Sequence, residues 1–524
     1  MNNQRSILGN YLQESTVRQI RELNIERNAR IDALKTRADA EAYVKSVREK
    51  IAACFPMPED RSVPPSEITG TAEYDDFKIE KIIYLSRENF PVTANLFLPK
   101  TPGKHPGVIF LCGHSGNGKL SEAYRSGAAN LAAKGYVVLL IDPISQGERW
   151  QFTGVPHASK IHGLCTREHN MLGKQLRLCG DFFGAWRAYD ALRGLDYLLS
   201  RPEVDPSRIG ITGNSGGGTM TTFTQALDSR FTMAAPSCYV TSWKRNFENE
   251  LPADVEQIPP GILASGCEMG DFILAYAPRP VLLLGQKNDF FDPRGLMETY
   301  EQVKKVYALL GAEDNVRCFI GPTNHGYSVE NREAMYGFFN QHAGIDCEAK
   351  ELFDGKKIAD KDMLCTESGQ LATSRPEFNL VHDLIVKKAA ELKAARTKLV
   401  PAGVKALLKK LLNIPEKIEE PYVRVMRGIL IDGIADEKRS LTRFVPEGDH
   451  GMLTPLKLNS ANSFFHFPEL EKLTICIPHP DGGSEVVKID RPADDIYAAP
   501  DVCEAVAAFK PFSAAFVSEP VPEV

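Results

Sequence analysis

The first apolar residues of the chain recur at helical spacing. Val17, Ile20 and Leu23 form one group, Ile31 and Leu34 a second, and Tyr43, Val44, Val47 and Ile51 a third, with charged residues filling much of the remainder. That period predicts two amphipathic helices between about Arg5 and Cys54, an extension packed on whatever follows. Pro56, Pro58, Pro64 and Pro65 then mark a linker. From Phe77 the pattern changes to short strands. Residues 79–84 and 92–98 read as half-buried strands; fully apolar runs follow at 108–111 and 137–141, then further strand-like runs at 209–211, 233–235, 281–284 and 316–320. Helical stretches separate them at 121–133, 183–199, 219–227, 296–310 and 332–339. Continuous apolar strands alternating with helices predict an α/β fold, a doubly wound and mostly parallel sheet buried on both faces.

Two regions break this rhythm. Between Trp150 and Gly180 no strand period is visible, and the segment carries His157, His162, Cys165, His169 and Cys179. A stretch of this length inside a compact domain is usually functional, and a pocket wall or lid is expected. His162, Cys165 and His169 have zinc-ligand chemistry, but their spacing fits no standard zinc site, so the wall is the preferred reading. After about Gly344 the composition shifts again. Lys- and Ala-rich helices are expected at 380–398 and 404–412, and strands at 422–430, 442–445 and 473–477, the last running into His479-Pro480-Asp481-Gly482-Gly483-Ser484. That order echoes the first half of the chain and suggests a degenerate copy with a structural or substrate-positioning role. The expected division is a helical extension and linker over 1–65, a catalytic domain over 66–345 and a smaller accessory α/β domain over 346–524.

Charge narrows the partners. A net charge of −6 argues against a phosphate backbone as ligand and leaves small molecules or neutral polymers such as oligosaccharides. No apolar run approaches the ~20 residues a bilayer span needs. The N-terminal stretch lacks an apolar signal region, and the 11 Cys are scattered without a C-x-x-C pair, so a reduced cytoplasmic setting is expected. Nothing in the sequence sets the oligomeric state.

The chemistry centres on Gly213-Asn214-Ser215-Gly216-Gly217. A serine on a sharp strand-to-helix turn needs small residues two before and two after it, so that strand and helix can approach closely. In a chain with 40 Gly the pattern alone is weak, and its context decides: Arg208 to Thr212 is a strand just before it, and Thr219 to Phe223 opens a helix just after it. Ser215 is the candidate nucleophile. A serine hydroxyl needs a base, and the base needs an acid to orient it, here in the chain order Ser, acid, His. Asp289 and Asp292 follow the apolar strand at 281–284; Asp292 precedes Pro293 like a helix cap, so Asp289 is preferred. His325 lies in a glycine-flanked loop after the strand at 316–320 and is the candidate base. The oxyanion donors are expected to be the amides of Gly216 and of His114, the latter in Gly113-His114-Ser115-Gly116-Asn117-Gly118. That glycine-rich stretch does not match phosphate-loop spacing. Glu148 and Arg149 follow the strand at 137–141, where Arg149 could hold a substrate carboxylate; the competing reading is an internal Glu–Arg pair bracing the long loop. No metal or cofactor is called for.

With these motifs the chain resembles the acetyl-xylan-esterase-like branch of the α/β-hydrolases, which is related to carbohydrate esterases and more distantly to dienelactone hydrolase and prolyl-oligopeptidase catalytic domains. The resemblance spans roughly residues 66–342. It rests on Phe77-Lys78-Ile79-Glu80-Lys81, Gly113 to Lys119, Asp142 to Arg149, Asp205 to Thr219, Ala277-Pro278-Arg279-Pro280-Val281, His325-Gly326-Tyr327 and Asn331 to Tyr336. It implies a serine-type hydrolase of carboxylic esters, often acetyl or methyl esters on plant polysaccharides. Members usually read G-x-x-D at the acid strand, whereas Gly285-Gln286-Lys287-Asn288-Asp289 has one residue more. Two alternatives remain open at this level. One is a peptidase of the prolyl-oligopeptidase kind, which would be expected to carry a propeller or gate domain ahead of the hydrolase. The other is a non-catalytic binding protein on a hydrolase fold.

Overall fold

The computed structural model describes residues 11–155, 158–159, 165–251, 253–397 and 400–411, and five C-terminal strands given below. Contacts divide the chain into one unit, Gln19–Arg396, and a second made of Met1–Arg18 and Thr397–Val524. No helix among the described residues is long and apolar enough to cross a membrane.

The two N-terminal helices are α1 (Tyr11–Ala33) and α2 (Arg37–Ala53). A capping box starts α2: Asp39 N donates to Thr36 Oγ1, and Thr36 N donates back to Asp39 Oδ2. The buried face of α2 is Ala40, Val44, Val47 and Ile51, the third apolar group of the sequence pattern with Ala40 added and Tyr43 only partly buried. Arg27 of α1 forms a fully buried pair with Asp271, 2.9 Å away.

Nine strands follow in one sheet. They are β1 (Ser66–Glu73), β2 (Phe77–Arg87), β3 (Phe90–Pro99), β4 (His105–Leu111), β5 (Val137–Ile141), β8 (Val204–Asn214), β9 (Met233–Ser237), β10 (Val281–Asn288) and β11 (Val316–Asn324); a small ribbon, β6 (Thr153–Val155) with β7 (Ala158–Ser159), stands apart. The sheet order is β1-β2-β3-β5-β4-β8-β9-β10-β11. β1, β2 and β3 pair antiparallel with one another and β3 pairs antiparallel with β5, while every neighbour from β5 to β11 is parallel. The apolar runs are the parallel strands; helices cover both faces of the inner ones, so all five residues of β5 are buried, while the edge strand β11 is largely exposed. The covering helices include α3 (Glu122–Ala133), α4 (Cys165–Leu178), α5 (Phe183–Ser200), α6 (Gly216–Leu227), α7 (Trp243–Glu248), α8 (Met269–Tyr276), α9 (Pro293–Leu309) and α10 (Val329–Ala343).

The long segment expected to be a wall contains α4, whose buried residues Cys165, Glu168, His169, Leu172, Gly173 and Leu176 face inward; Leu172 and Leu176 pack with Ile144, Phe183 and Trp186. His157 and His162 lie outside the described residues.

Beyond α10 the structure departs from the expected division at 345/346. Residues 346–396 belong to the catalytic unit, because their backbone is bonded into it: Met363 O accepts from Asn95 Nδ2, and Asn379 N donates to Asn89 O. This stretch includes α11 (Leu371–Ser374) and ends in α12 (Val381–Ala395). The second unit holds α13 (Pro401–Leu411) and the strands β12 (Tyr422–Leu430), β13 (Ser440–Glu447), β14 (Leu456–Ser460), β15 (Leu473–Pro478) and β16 (Ser484–Ile489). These five pair antiparallel in sequence order. The crossover that puts β5 between β3 and β4 has no counterpart among them, so the echo expected from the strand pattern is a meander and not a second copy of the catalytic sheet.

Candidate active site

The parallel strands deliver three side chains to one edge of the sheet. β8 ends at Asn214, and the chain turns through Ser215, at φ 58° and ψ −121°, directly into α6. A non-glycine residue at positive φ is held there by its surroundings. Ser215 N donates to Ser237 O at 2.9 Å, and Thr219 N donates to Ser215 O at 2.8 Å. The turn is tight enough that a Cβ on Gly213 would lie 2.7 Å from Gly217 O, and one on Gly217 would overlap Leu111 O. Those are the two glycine positions the motif requires.

Asp289 follows β10 and His325 follows β11. Asn288 is paired with Asn324, so acid and imidazole leave neighbouring strands at the same level. The extra residue in the acid loop is matched by an irregularity between Gln286 and Asn288, opposite the longer stretch Gly321 to Asn324 of β11. His325 Nδ1 lies 2.8 Å from Asp289 Oδ1, and His325 Nε2 lies 2.9 Å from Ser215 Oγ. The Asp289 carboxylate is buried and also accepts from Phe291 N at 2.9 Å, while His325 is partly open. Phe290, half exposed, lays its ring over His325 with centroids 4.0 Å apart. Asp292 does something else: it caps α9, accepting from Arg294 N at 2.8 Å and pairing with the Arg294 side chain. Its carboxyl is held down at about 2, chiefly by the Arg294 hydrogen bond.

The two expected oxyanion donors are neighbours. The Gly216 amide belongs to the first turn of α6, whose N–H groups have no partner within the helix. The His114 ring packs on it so closely that a Cβ on Gly216 would lie 2.6 Å from His114 Nε2. Behind His114 stands a buried group that sequence reasoning did not find. Glu256 Oε1 lies 2.7 Å from His114 Nε2 and 2.9 Å from His169 Nδ1, and accepts from Arg187 Nη1 at 2.7 Å. Burial alone would raise the Glu256 carboxyl, but His169 and His114 outweigh it and hold the group well below the usual carboxylate range. Burial pushes the His114 imidazole below its usual range, against the pull of Glu256. Nothing in the sequence singles out Glu256, one of several acids in a proline-containing loop.

His114, His169 and Glu256 bring three donor atoms close enough to hold a metal ion. However, the Arg187 guanidinium reaches the same Glu256 oxygen and stands 3.3 Å from His114 Nε2, placing a fixed positive charge where the ion would sit. The residues present suit a hydrogen-bonded cluster better than a cation.

Glu148 and Arg149 do not line the site, which corrects the expected substrate contact. Both are buried and paired inward. Glu148 bonds to Lys119 Nζ and accepts from the amides of Cys365 and Thr366. Burial would raise its carboxyl, but Lys119 outweighs that and lowers it. Arg149 pairs with Asp190 Oδ2 at 2.9 Å and donates to Asp142 O at 2.9 Å. They brace the loop after β5, as the competing reading held, but through separate partners and not with each other.

Comparison with known proteins agrees with this architecture. Residues 67–254 match the model of the acetyl xylan esterase (AXE1) family. YtaP of Bacillus subtilis (strain 168), a hydrolase by name, is 30% identical over 243 residues, which is 43% of this chain and 75% of that protein. Among solved structures, the methylesterase BT1017 aligns with a TM-score of 0.52 at 22% identity, over 71% of this chain and 81% of its own, a likeness of fold. A glucuronoyl esterase from Solibacter usitatus aligns with a TM-score of 0.42 at 16% identity, over 56% of this chain and 91% of its own. Identity sustained over three quarters of YtaP, together with the family match and the strand order, places the chain in the acetyl-xylan-esterase-like branch of the α/β-hydrolases.

Proposed function

We propose that the protein is a serine carboxylic ester hydrolase that acts on esterified carbohydrates through an acyl-enzyme at Ser215. One observation carries the reading: His325 bridges Ser215 Oγ at 2.9 Å and Asp289 at 2.8 Å, all three at the carboxyl ends of parallel strands. His325 Nε2 takes the Ser215 proton as the oxygen attacks the ester carbonyl. Asp289 holds Nδ1–H, fixing the tautomer that leaves Nε2 free to accept, and stabilises the imidazolium that forms. The amides of Gly216 and His114 take the charge developing on the carbonyl oxygen. His325 then protonates the departing alcohol, and water, deprotonated by the same imidazole, releases the acid from Ser215.

The family description and the name of the methylesterase favour an acetylated sugar or a methyl ester as substrate. A panel of acetylated xylo-oligosaccharides, methyl uronates and 4-nitrophenyl esters, run on the wild type and Ser215→Ala, tests the proposal. Turnover of at least one carbohydrate ester by the wild type alone is expected. Turnover that survives in Ser215→Ala, or a wild type active on none of the panel, would remove it.

A further inference from the structure

We propose that Glu256 is a positioning residue of the oxyanion hole, acting through the imidazole of His114. The inference rests on the ester-hydrolase reading of Ser215 and adds a residue to its machinery.

His114 lies in the loop after β4, and its backbone amide is the donor assigned to the reacting oxygen. A loop amide is a useful donor only if it is held in place before the charge develops, since a donor that must first reorient gives up much of its advantage. Here the holding is done through the side chain. On one side the ring presses against the first turn of α6, close enough that Gly216 admits no Cβ without moving it. On the other side Nε2 is fixed by Glu256 at 2.7 Å, and Nδ1 faces Asp254 Oδ2 at 3.5 Å. The two amides of the hole are thereby referenced to each other: one belongs to Gly216, the other to the residue whose ring rests on Gly216.

Glu256 is itself immobilised from directions that do not touch the hole. Arg187 reaches it from α5 at 2.7 Å and His169 from α4 at 2.9 Å; His169 Nε2 is anchored at 2.8 Å to Ile144 O, in the loop after β5. The carboxylate therefore joins the β4 loop, the β5 loop, α4, α5 and the loop ahead of α8 at one buried point. All three contacts converge on Oε1, while the buried Oε2 has no hydrogen-bond partner among the described residues. A carboxylate with one oxygen crowded and the other idle is poorly used as a stability device, because leaving a buried polar atom unmatched costs free energy. Its geometry is accounted for by the direction in which it pulls His114.

The test uses the full chain, with 4-nitrophenyl acetate as substrate and an aryl trifluoromethyl ketone, which forms a tetrahedral adduct with the serine, as the mimic of the charged state. Glu256→Gln keeps the shape and one acceptor but removes the charge that gathers the three donors. Its expected effect is a fall in kcat of about 30-fold, less than the ~100-fold or more seen when a donor is deleted outright. KM should stay within about twofold, and affinity for the trifluoromethyl ketone should fall by the same factor as kcat. His114→Asn, which keeps the amide and loses the ring, should give the same pattern; it carries the test if Glu256→Gln loses its near-ultraviolet circular dichroism. The proposal is overturned if both folded variants keep kcat within threefold of the wild type, or if KM rises with kcat unchanged. It is equally overturned if a chelator abolishes wild-type activity and zinc restores it, which would make His114, His169 and Glu256 a metal centre. A wild type that takes no fluorophosphonate at Ser215 fails earlier and removes the hydrolase reading along with this one.

Discussion

Asp289 and His325 leave adjacent parallel strands from the paired residues Asn288 and Asn324, and their side chains meet at 2.8 Å. Asp292, three residues on, faces the other way and caps α9. The two aspartates should therefore separate cleanly. Asp289→Asn is expected to lower kcat/KM for nitrophenyl esters by about a thousandfold or more, because the imidazole tautomer is no longer enforced. Asp292→Ala should leave the kinetics within about threefold and cost roughly 1 kcal/mol in urea unfolding as a lost helix cap. The Asp292 carboxyl is depressed to about 2, so its contribution is complete above the ordinary carboxylate range and is lost only as the pH falls through about 2.

Arg149 makes a second separation, between binding and bracing. Its guanidinium is buried against Asp190 and over the Phe90 ring, 5.2 Å from the centroid. Arg149→Ala leaves Asp190 with a buried charge short of a partner and should destabilise the protein by about 3 kcal/mol. KM for uronate esters in the folded variant should match the wild type. A KM rise of tenfold with unchanged stability would return Arg149 to the substrate.

What the sequence made legible follows from where the chemistry sits. Strands β4, β5, β8, β9 and β10 are visible as apolar runs because the inner part of a parallel sheet is buried on both faces, whereas β11, at the edge, shows only through Val316, Phe319 and Ile320. The residues just past β8, β10 and β11 are then confined to one sheet edge by topology alone, which is why Ser215, Asp289 and His325 could be named in order. β1 is invisible for the opposite reason: an edge strand exposed along most of its length has no apolar signature. Helix α4 was hidden because its inward face is built from Cys165, Glu168, His169 and Gly173 as well as Leu172 and Leu176, so the apolar period is broken by buried polar groups. Arg149 and Glu148 were misplaced because position after a strand says nothing about which way a long side chain turns. Glu256 lies 142 residues from His114, and only the fold brings them together.

The glycines of the elbow give a third test. At Gly217 an added Cβ would meet the backbone oxygen of Leu111, which cannot move without disturbing β4. Gly217→Ala should fail to fold or lose at least ~3 kcal/mol. At Gly216 the obstacle is the His114 ring, a side chain, so Gly216→Ala should fold and lose kcat instead. Thermal unfolding and steady-state kinetics on the two variants distinguish the outcomes.

Glu268 predicts a pH dependence of stability. It is buried at the N-terminus of α8, and burial raises its carboxyl to about 7 despite Arg27 nearby. A raised carboxyl favours the protonated folded state, so stability is greatest below the ordinary value of 4.5, declines as the pH rises from there to about 7, and is flat above. The decline due to this group should be on the order of 2 kcal/mol. In Glu268→Gln the slope across that window should flatten relative to the wild type, as read by urea unfolding at a series of pH values.

The central claim is that Ser215 is a nucleophile activated by His325. Reaction of the full chain with a fluorophosphonate, followed by intact mass and peptide mapping, tests it most directly. One adduct per chain on Ser215 is expected, with labelling slowed by at least a hundredfold in His325→Ala and absent in Ser215→Ala. Labelling at another serine, or at an equal rate without His325, would contradict it.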